Sequence, residues 1–372
     1  MDEKWAKRFE EIWRHPEETA KKWKSGKKMV IGWAIPDGTE ELILASGAMA
    51  QALLGSDLPF AGADAHFQGF ACSYTRSLLE MLTRGELDFY DALIIPHTCD
   101  ALRAFDLVIK DIARVKIVET FRPTRLRDNP ASEKFLREEL ERIRKRLGEI
   151  TGHFASDQEI KLAAAELNAL KETLREVKTQ MKAGRASALE FFSATQAGMA
   201  GDKKEVIKLA AEFLGEVKAR PARAGGKKIL LAGKVAEPLS ILSAIEASGF
   251  QVIDDLLVNG ARYVKSAVDL SKEPIQALVD AQLDKIPVAG MYDRTRSRGE
   301  RIIRRFRRSG AQAVIFLVQK FCEPYEMEAV GVEEELKKAG IPMLKLESDY
   351  QTRSIAPLKT RIEAFAEMLA TK

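Results

Sequence analysis

The chain has 372 residues, with 59 Lys and Arg against 55 Asp and Glu and a hydrophobic content of 46%. That length exceeds one ordinary domain and predicts two or three, and the apolar content is that of a chain with substantial cores. A net charge of +4 is too mild for a dedicated nucleic-acid binder.

The N-terminal stretch "MDEKWAKRFEEIWRHPEETAKKWKSGKK" is charged and amphipathic and lacks the apolar core of a signal peptide. No uninterrupted apolar run reaches the ~18 residues that a membrane span needs. A cytoplasmic protein without membrane or nucleic-acid partners is therefore expected. Trp5, Phe9, Ile12 and Trp13 recur at helical spacing and predict an amphipathic helix over residues 3–24. "KKMVIGWAIP" then reads as a strand ending at Pro36. "GTEELILASGAMAQALL" reads as a helix with Thr39 as N-cap and acidic residues in its first turn. "SYTRSLLEMLTRGEL" is a further helix ending near Gly85. "YDALIIP" and "RVKIVETFRP" are the next strands. Strands alternating with helices predict a parallel sheet covered on both faces.

Residues 131–225 differ in character. "SEKFLREELERIRKRLGEI" and "DQEIKLAAAELNALKETLREVKTQMKA" are long, charged helices without sustained heptads, and "KARPARAGGKK" is a linker by composition. A second alternating unit follows. "KKILLAGKV", "FQVIDDLLV", "AQAVIFLVQ" and "IPMLKLESD" are its strands, interleaved with the helices "EPLSILSAIEASG", "GERIIRRFRRSG", "VEEELKKAG" and "LKTRIEAFAEMLA". The expected architecture is α/β: two flavodoxin/Rossmann-like parallel-sheet domains with an additional helical segment between them. The expected units are an N-terminal helix (1–24), a first α/β domain (25–130), a helical segment and linker (131–225) and a second α/β domain (226–372).

Three cysteines is an odd number and fits poorly with a disulfide framework. Cys99 follows the strand "DALIIP" and Cys322 follows "AVIFLVQKF", where open parallel sheets place their ligands. Cys72 falls at the start of a predicted helix, where the backbone favours thiolate. The three can converge as metal ligands in a cleft between the domains, or they can be ordinary buried thiols. No Cys-x-x-Cys spacing is present, which excludes a zinc finger and a bacterial-type ferredoxin run.

The segments "PDGTEELILASGAM", "FACSYTRSLLEMLTRGELDFYDALIIPHTCDALR", "LLAGKVAEPLSILSAIEASGFQVIDDLLVNGARY" and "GAQAVIFLVQKFCEPYEMEAVGVEEELKKAGIPMLKLESD" together resemble a known family. It is that of the iron–sulfur subunits of 2-hydroxyacyl-CoA dehydratases and ATP-dependent benzoyl-CoA reductases, which act in anaerobic metabolism. The resemblance runs through nearly the whole chain. It implies that Cys72, Cys99 and Cys322 hold a [4Fe–4S] cluster with one iron open to a further ligand. It also implies an acyl-CoA substrate, a homologous second cluster subunit forming a heterodimer, and a separate ATP-hydrolysing activator that donates single electrons. In a dehydratase such an electron makes a ketyl radical that expels the 2-hydroxyl; in a reductase electrons are consumed in partly reducing an aromatic ring. "ADAHFQGFACSYTRS" leans slightly towards the reductase. A cluster-bearing partner without its own substrate site and a metal-free α/β binding protein are the alternatives.

The residues themselves assign no catalytic side chain. His97, two residues before Cys99, reads as a loop histidine or a donor near the cluster. Asp100 reads as a helix cap. Arg76 and Arg103 follow two cysteines by about one turn and read as solvated helix arginines or as partners for cluster charge or CoA phosphate. The basic stretch 293–310, "DRTRSRGERIIRRFRRSG", reads equally as an exposed helix face or a grip for CoA phosphates or an acidic surface. "LLAGKVAEP" is neither a P-loop nor a dinucleotide fingerprint.

Overall fold

The computed structural model describes residues 4–127, 129–223, 225–293, 296–351 and 355–371. The chain opens with α1 (Lys4–Arg14) and α2 (Pro16–Ser25). It continues through β1 (Val30–Ala34), α3 (Glu40–Ala45), β2 (Met49–Leu53), α4 (Ala63–His66), α5 (Ser73–Thr83), β3 (Ala92–Pro96), α6 (Asp100–Ile112) and β4 (Val118–Phe121). Four long helices follow: α7 (Pro130–Thr151), α8 (Asp157–Lys182), α9 (Ala188–Ala200) and α10 (Lys203–Val217). The rest is β5 (Lys227–Gly233), α11 (Ser240–Ala247), β6 (Phe250–Asp255), an irregular turn over Val258–Arg262 running into α12 (Tyr263–Lys265), then α13 (Pro274–Asp284), α14 (Arg298–Ser309), β7 (Ala313–Gln319), α15 (Glu323–Lys338), β8 (Met343–Ser348) and α16 (Ala356–Ala370).

Two four-stranded parallel sheets result, ordered β2-β1-β3-β4 and β6-β5-β7-β8. Both follow the flavodoxin-like order, with the switch point between the first and third strand of each. The strands β1, β2, β3 and β7 are buried along their whole length. That is why they read as continuous apolar runs rather than alternating ones.

Two expected elements differ. The N-terminal helix is two helices, because Pro16 lacks the N–H that would continue the first and instead opens the second. The expected helix over 38–54 stops at Ala45. Gly47 follows with φ 79°, and residues 49–53 form β2. A left-handed glycine after Ser46 is a helix terminator, and Gln51 of β2 then donates to the Ala200 carbonyl at the end of α9, covering the sheet edge. Thr39 does stand at the N-cap of α3, but its side chain makes no capping bond.

The central helices are strongly specified. Capping boxes at Ser156/Glu159 and Ser187/Glu190, and Asp202 capping α10, satisfy the first-turn amides. α8 packs on α3 on one side and on β6 on the other. Its Lys171 pairs with Glu41 at 3.2 Å, and its Lys178 with Asp254 and Asp255 at 2.9 and 2.8 Å.

A second tie joins the two α/β runs. Asp37, just beyond β1, accepts two bonds from Arg262 Nη2 at 2.9 and 3.0 Å, and both side chains are buried. Burial pushes the Asp37 carboxyl up, but Arg262 and Lys285 outweigh it and hold the carboxyl below its usual range. The pair's stabilisation is therefore present above the unfolded carboxylate value of about 4 and is lost as pH falls further. Arg262→Met should destabilise the fold by about 3–5 kcal/mol, since it leaves a buried carboxylate short of its main partner. Denaturant unfolding checks this, and a loss within about 0.5 kcal/mol would mean the pair is solvated.

Candidate functional site

Each cysteine occupies the position just before a helix. Cys72 precedes α5, Cys99 precedes α6 and Cys322 precedes α15. Cys99 lies three residues past the end of β3 and Cys322 three past the end of β7, so the two are equivalent in the two sheets. The turns that present them are held by main chain. The His97 amide donates to the Phe121 carbonyl at 2.8 Å, and Lys320 does the same to Ser348 at 2.8 Å. Phe321, directly before Cys322, has φ 61°, an uncommon and strained backbone state for an aromatic residue. The Cys72 and Cys322 loops are also joined to each other, since the Ser73 amide donates to the Lys320 carbonyl at 3.2 Å.

The three thiols line one cavity of about 620 Å³, walled further by Pro36, Phe67, Val258, Val288 and Tyr325. The thiols of Cys72 and Cys322 act directly on each other. Cys322, together with the charge of Lys234, holds the Cys72 thiol well below the usual range against the opposing effect of burial. Cys322 is pushed well up by Cys72 and by burial. Burial likewise raises Cys99, although the Leu102 and Ala101 amides point at its sulfur. Three helix N-termini thus aim partial positive charge at one cavity; with Lys234 the environment favours thiolate at Cys72, while burial outweighs it at Cys99 and Cys322.

Lys234 was not foreseen. It follows Gly233, whose φ of 117° ends β5 where a Cβ would sit 2.0 Å from the Leu317 carbonyl oxygen. Its Nζ lies 3.1 Å from the Cys72 sulfur. Burial works against its charge, but the sulfurs of Cys322 and Cys72 raise it above the ordinary lysine value. The readable signal was a lysine directly after a glycine that closes a buried strand, in "LLAGKV".

Other expected residues fall elsewhere. His97 Nε2 sits 2.8 Å from Asp106 Oδ2, in a group with Lys110 and Thr120. Asp100 is the first residue of α6 rather than its cap, and it pairs with Arg103 at 3.6 Å. Arg76 bonds Asp64 and the Gly69 carbonyl and stacks on Phe60. Within the basic stretch, Arg294 and Thr295 lie outside the described residues, and 298–309 form α14.

Among the described residues, no three His, Cys, Asp or Glu side chains are close enough to grip one metal ion. The three thiols on the lining of one cavity are soft donors, of the type that iron–sulfur clusters take. Also among the described residues, no helix is long and apolar enough to cross a membrane.

Two sheets of one topology with thiols at equivalent strand ends define a duplicated α/β protein with a shared thiol-lined cavity. The family described as "2-hydroxyglutaryl-CoA dehydratase, D-component" matches residues 38–369, and the chain belongs to it. It is 24% identical over 365 positions to the (R)-phenyllactyl-CoA dehydratase beta subunit of Clostridium sporogenes, covering 96% of this chain and 94% of that one. It is 26% identical over 383 positions to the beta subunit of the (R)-2-hydroxyglutaryl-CoA dehydratase of Acidaminococcus fermentans, covering 97% and 98%. It is 22% identical over 362 positions to a subunit of the benzoyl-CoA reductase of Thauera aromatica, covering 94% of each. Both reaction types match over nearly the whole chain, so the slight lean towards a reductase gains no support.

Diamide treatment of the chain held metal-free by a chelator should link Cys72 to Cys322, each thiol losing one proton and one electron to the oxidant. Peptide mapping checks this; a dominant disulfide to Cys99 would contradict the geometry.

Proposed function

We propose that this chain is the cluster-bearing subunit of a two-subunit enzyme acting on acyl-CoA thioesters, with Cys72, Cys99 and Cys322 as ligands of a [4Fe–4S] cluster. The observation that carries the reading is the meeting of all three thiols, from three separate helix N-termini and both α/β runs, at one cavity. When bound, such a cluster supplies single electrons at low potential and, with three protein ligands, leaves one iron open.

The chain's own residues have defined tasks in this reading. The helix N-termini and Lys234 offset the negative charge of the thiolates. Phe67, Tyr74 and Tyr325 keep water from the sulfurs. Phe70 and Met327, on the cavity's lining, are 73% and 71% exposed, and Phe321 beside them is 39% exposed. An apolar rim of this kind suits burial by another protein, here a homologous second cluster subunit. Electrons come from a separate ATP-dependent activator, as the family resemblance implies. Dehydration and ring reduction share all these parts, and the products formed from a 2-hydroxyacyl-CoA and from benzoyl-CoA separate them.

Anaerobic purification with the partner subunit, followed by iron and sulfide analysis, should give about four of each per chain, with one iron distinct by Mössbauer spectroscopy. Cys99→Ala should lower the iron content and broaden that distinction. Absence of iron after reconstitution of the intact chain would sink the reading.

A further inference from the structure

A second cavity, of about 640 Å³, lies beside the thiol-lined one, within the size range of small-molecule sites. Its floor is the Ala232–Gly233 backbone at the end of β5 and Leu256 just past β6, again at the carboxyl edge of a parallel sheet. The two cavities adjoin across a single layer of chain. Gly233 lines one and Lys234 the other; Pro287 lines one and Val288 the other. Arg298, on the wall of the second cavity, pairs with Glu328 and stacks on Tyr325, both on the wall of the first.

The lining of this second cavity is strongly cationic. α14 presents Arg298, Arg301, Arg304, Arg305 and Arg308 to it, positions that recur on one helical face. Some of its cations are neutralised from behind: Lys178 and Arg305 by Asp254, and Arg301 by Asp293. Four are not. Arg127, Arg296, Arg304 and Arg308 have no hydrogen bond or ion pair among the described residues. Like charges outweigh carboxylates around them. Arg296 and Arg308 depress Arg304, and burial with Arg262 and Arg301 pulls half-buried Arg127 down to about 10. Four guanidinium groups without a partner among the described residues, around one concavity, form the complement of several phosphate oxygens, which arginine binds in bidentate fashion.

We infer that this cavity binds an organic polyphosphate, held by Arg127, Arg296, Arg304 and Arg308. That chemistry is carried both by the 3′-phosphorylated ADP end of coenzyme A and by a nucleoside triphosphate. The adjoining thiol-lined cavity favours the first source, with the acyl end directed towards the sulfurs. This assignment of source rests on the function proposed above; the anion site rests on the cations alone. An acidic protein surface meets exposed arginines equally well in charge, but it does not fill a concavity that reaches a half-buried Arg127 and the end of a central strand.

Isothermal titration of the full chain, with its partner subunit where they purify together, tests this using coenzyme A, ATP and pyrophosphate as probes. Coenzyme A should bind, and raising the salt concentration should weaken it. Arg304→Ala/Arg308→Ala, on an exposed helix face, should weaken binding at least about tenfold, and Arg127→Met by a similar factor. Binding of ATP with the same loss in the variants would support the site and make it a general nucleotide-polyphosphate site. Failure of all three probes, or equal binding by wild type and the exposed-face variant, would overturn the inference. So would an unchanged coenzyme A affinity with weakened subunit association, which would make the cations a protein-docking face. Iron content measured on the same samples separates the two readings: anion binding without iron sinks the cluster alone.

Discussion

The site depends on a buried ion pair placed behind it. Asp37 follows Pro36, and Arg262 ends the turn that begins at Val258; Pro36 and Val258 both line the thiol cavity. Neither charge can be satisfied unless the loop after β1 meets the loop after β6. A buried pair of this kind adds little net stability compared with apolar packing, but breaking it is expensive. Its effect is to penalise every arrangement in which the two loops are apart. Lys285 joins the pair at 3.5 Å, and the chain then runs through Pro287 along the wall between the two cavities. One electrostatic tie therefore sets the relation of both cavities to both sheets.

Charge is sorted around that tie. The thiol cavity receives positive potential from backbone, through three helix N-termini, and from the half-buried side chain of Lys234. Backbone dipoles need no counter-ion and cannot swing away, so they favour thiolate without bringing mobile charge to the sulfurs. The adjoining cavity is the opposite case, with flexible guanidinium groups crowded together beyond what the neighbouring carboxylates neutralise. A largely apolar-walled sulfur site beside a cationic one is a division suited to a ligand with one reactive end and one highly charged end.

The alternation of strands and helices was legible because parallel strands buried on both faces leave continuous apolar runs between helix-length amphipathic segments. Cys99 and Cys322 could be placed from the strands that precede them, since the end of a strand is a local feature. β2 was hidden inside a helical pattern because "AMAQAL" is rich in alanine, and only the left-handed turn at Gly47 separates it from α3. The N-terminal pattern is regular enough to mask what Pro16 does to it. Lys234 and the arginines of the second cavity were out of reach for a different reason. Lys234 matters only because residue 72 folds against it, and the basic face of α14 becomes a cavity only when Arg127 and α8 close over it. Such relations are properties of packing between distant segments, and no local spacing carries them.

The two halves share a topology but do not share the site equally. Cys99 and Cys322 are equivalent, each following the third strand of its sheet. Strict duplication would supply thiols in pairs, so the count of three marks a departure. In the first half the crossover from second to third strand carries Cys72. In the second half the same crossover, residues 256–312, contains no cysteine. It supplies Arg262 to the clamp on Asp37, Lys285 beside it and the arginines of α14. One crossover has become a ligand arm and its counterpart a cationic wall. Val288, Ala289 and Gly290 of that same crossover line the thiol cavity, and none of their side chains can coordinate a metal. The second crossover therefore brings wall and charge to the site where the first brings a sulfur.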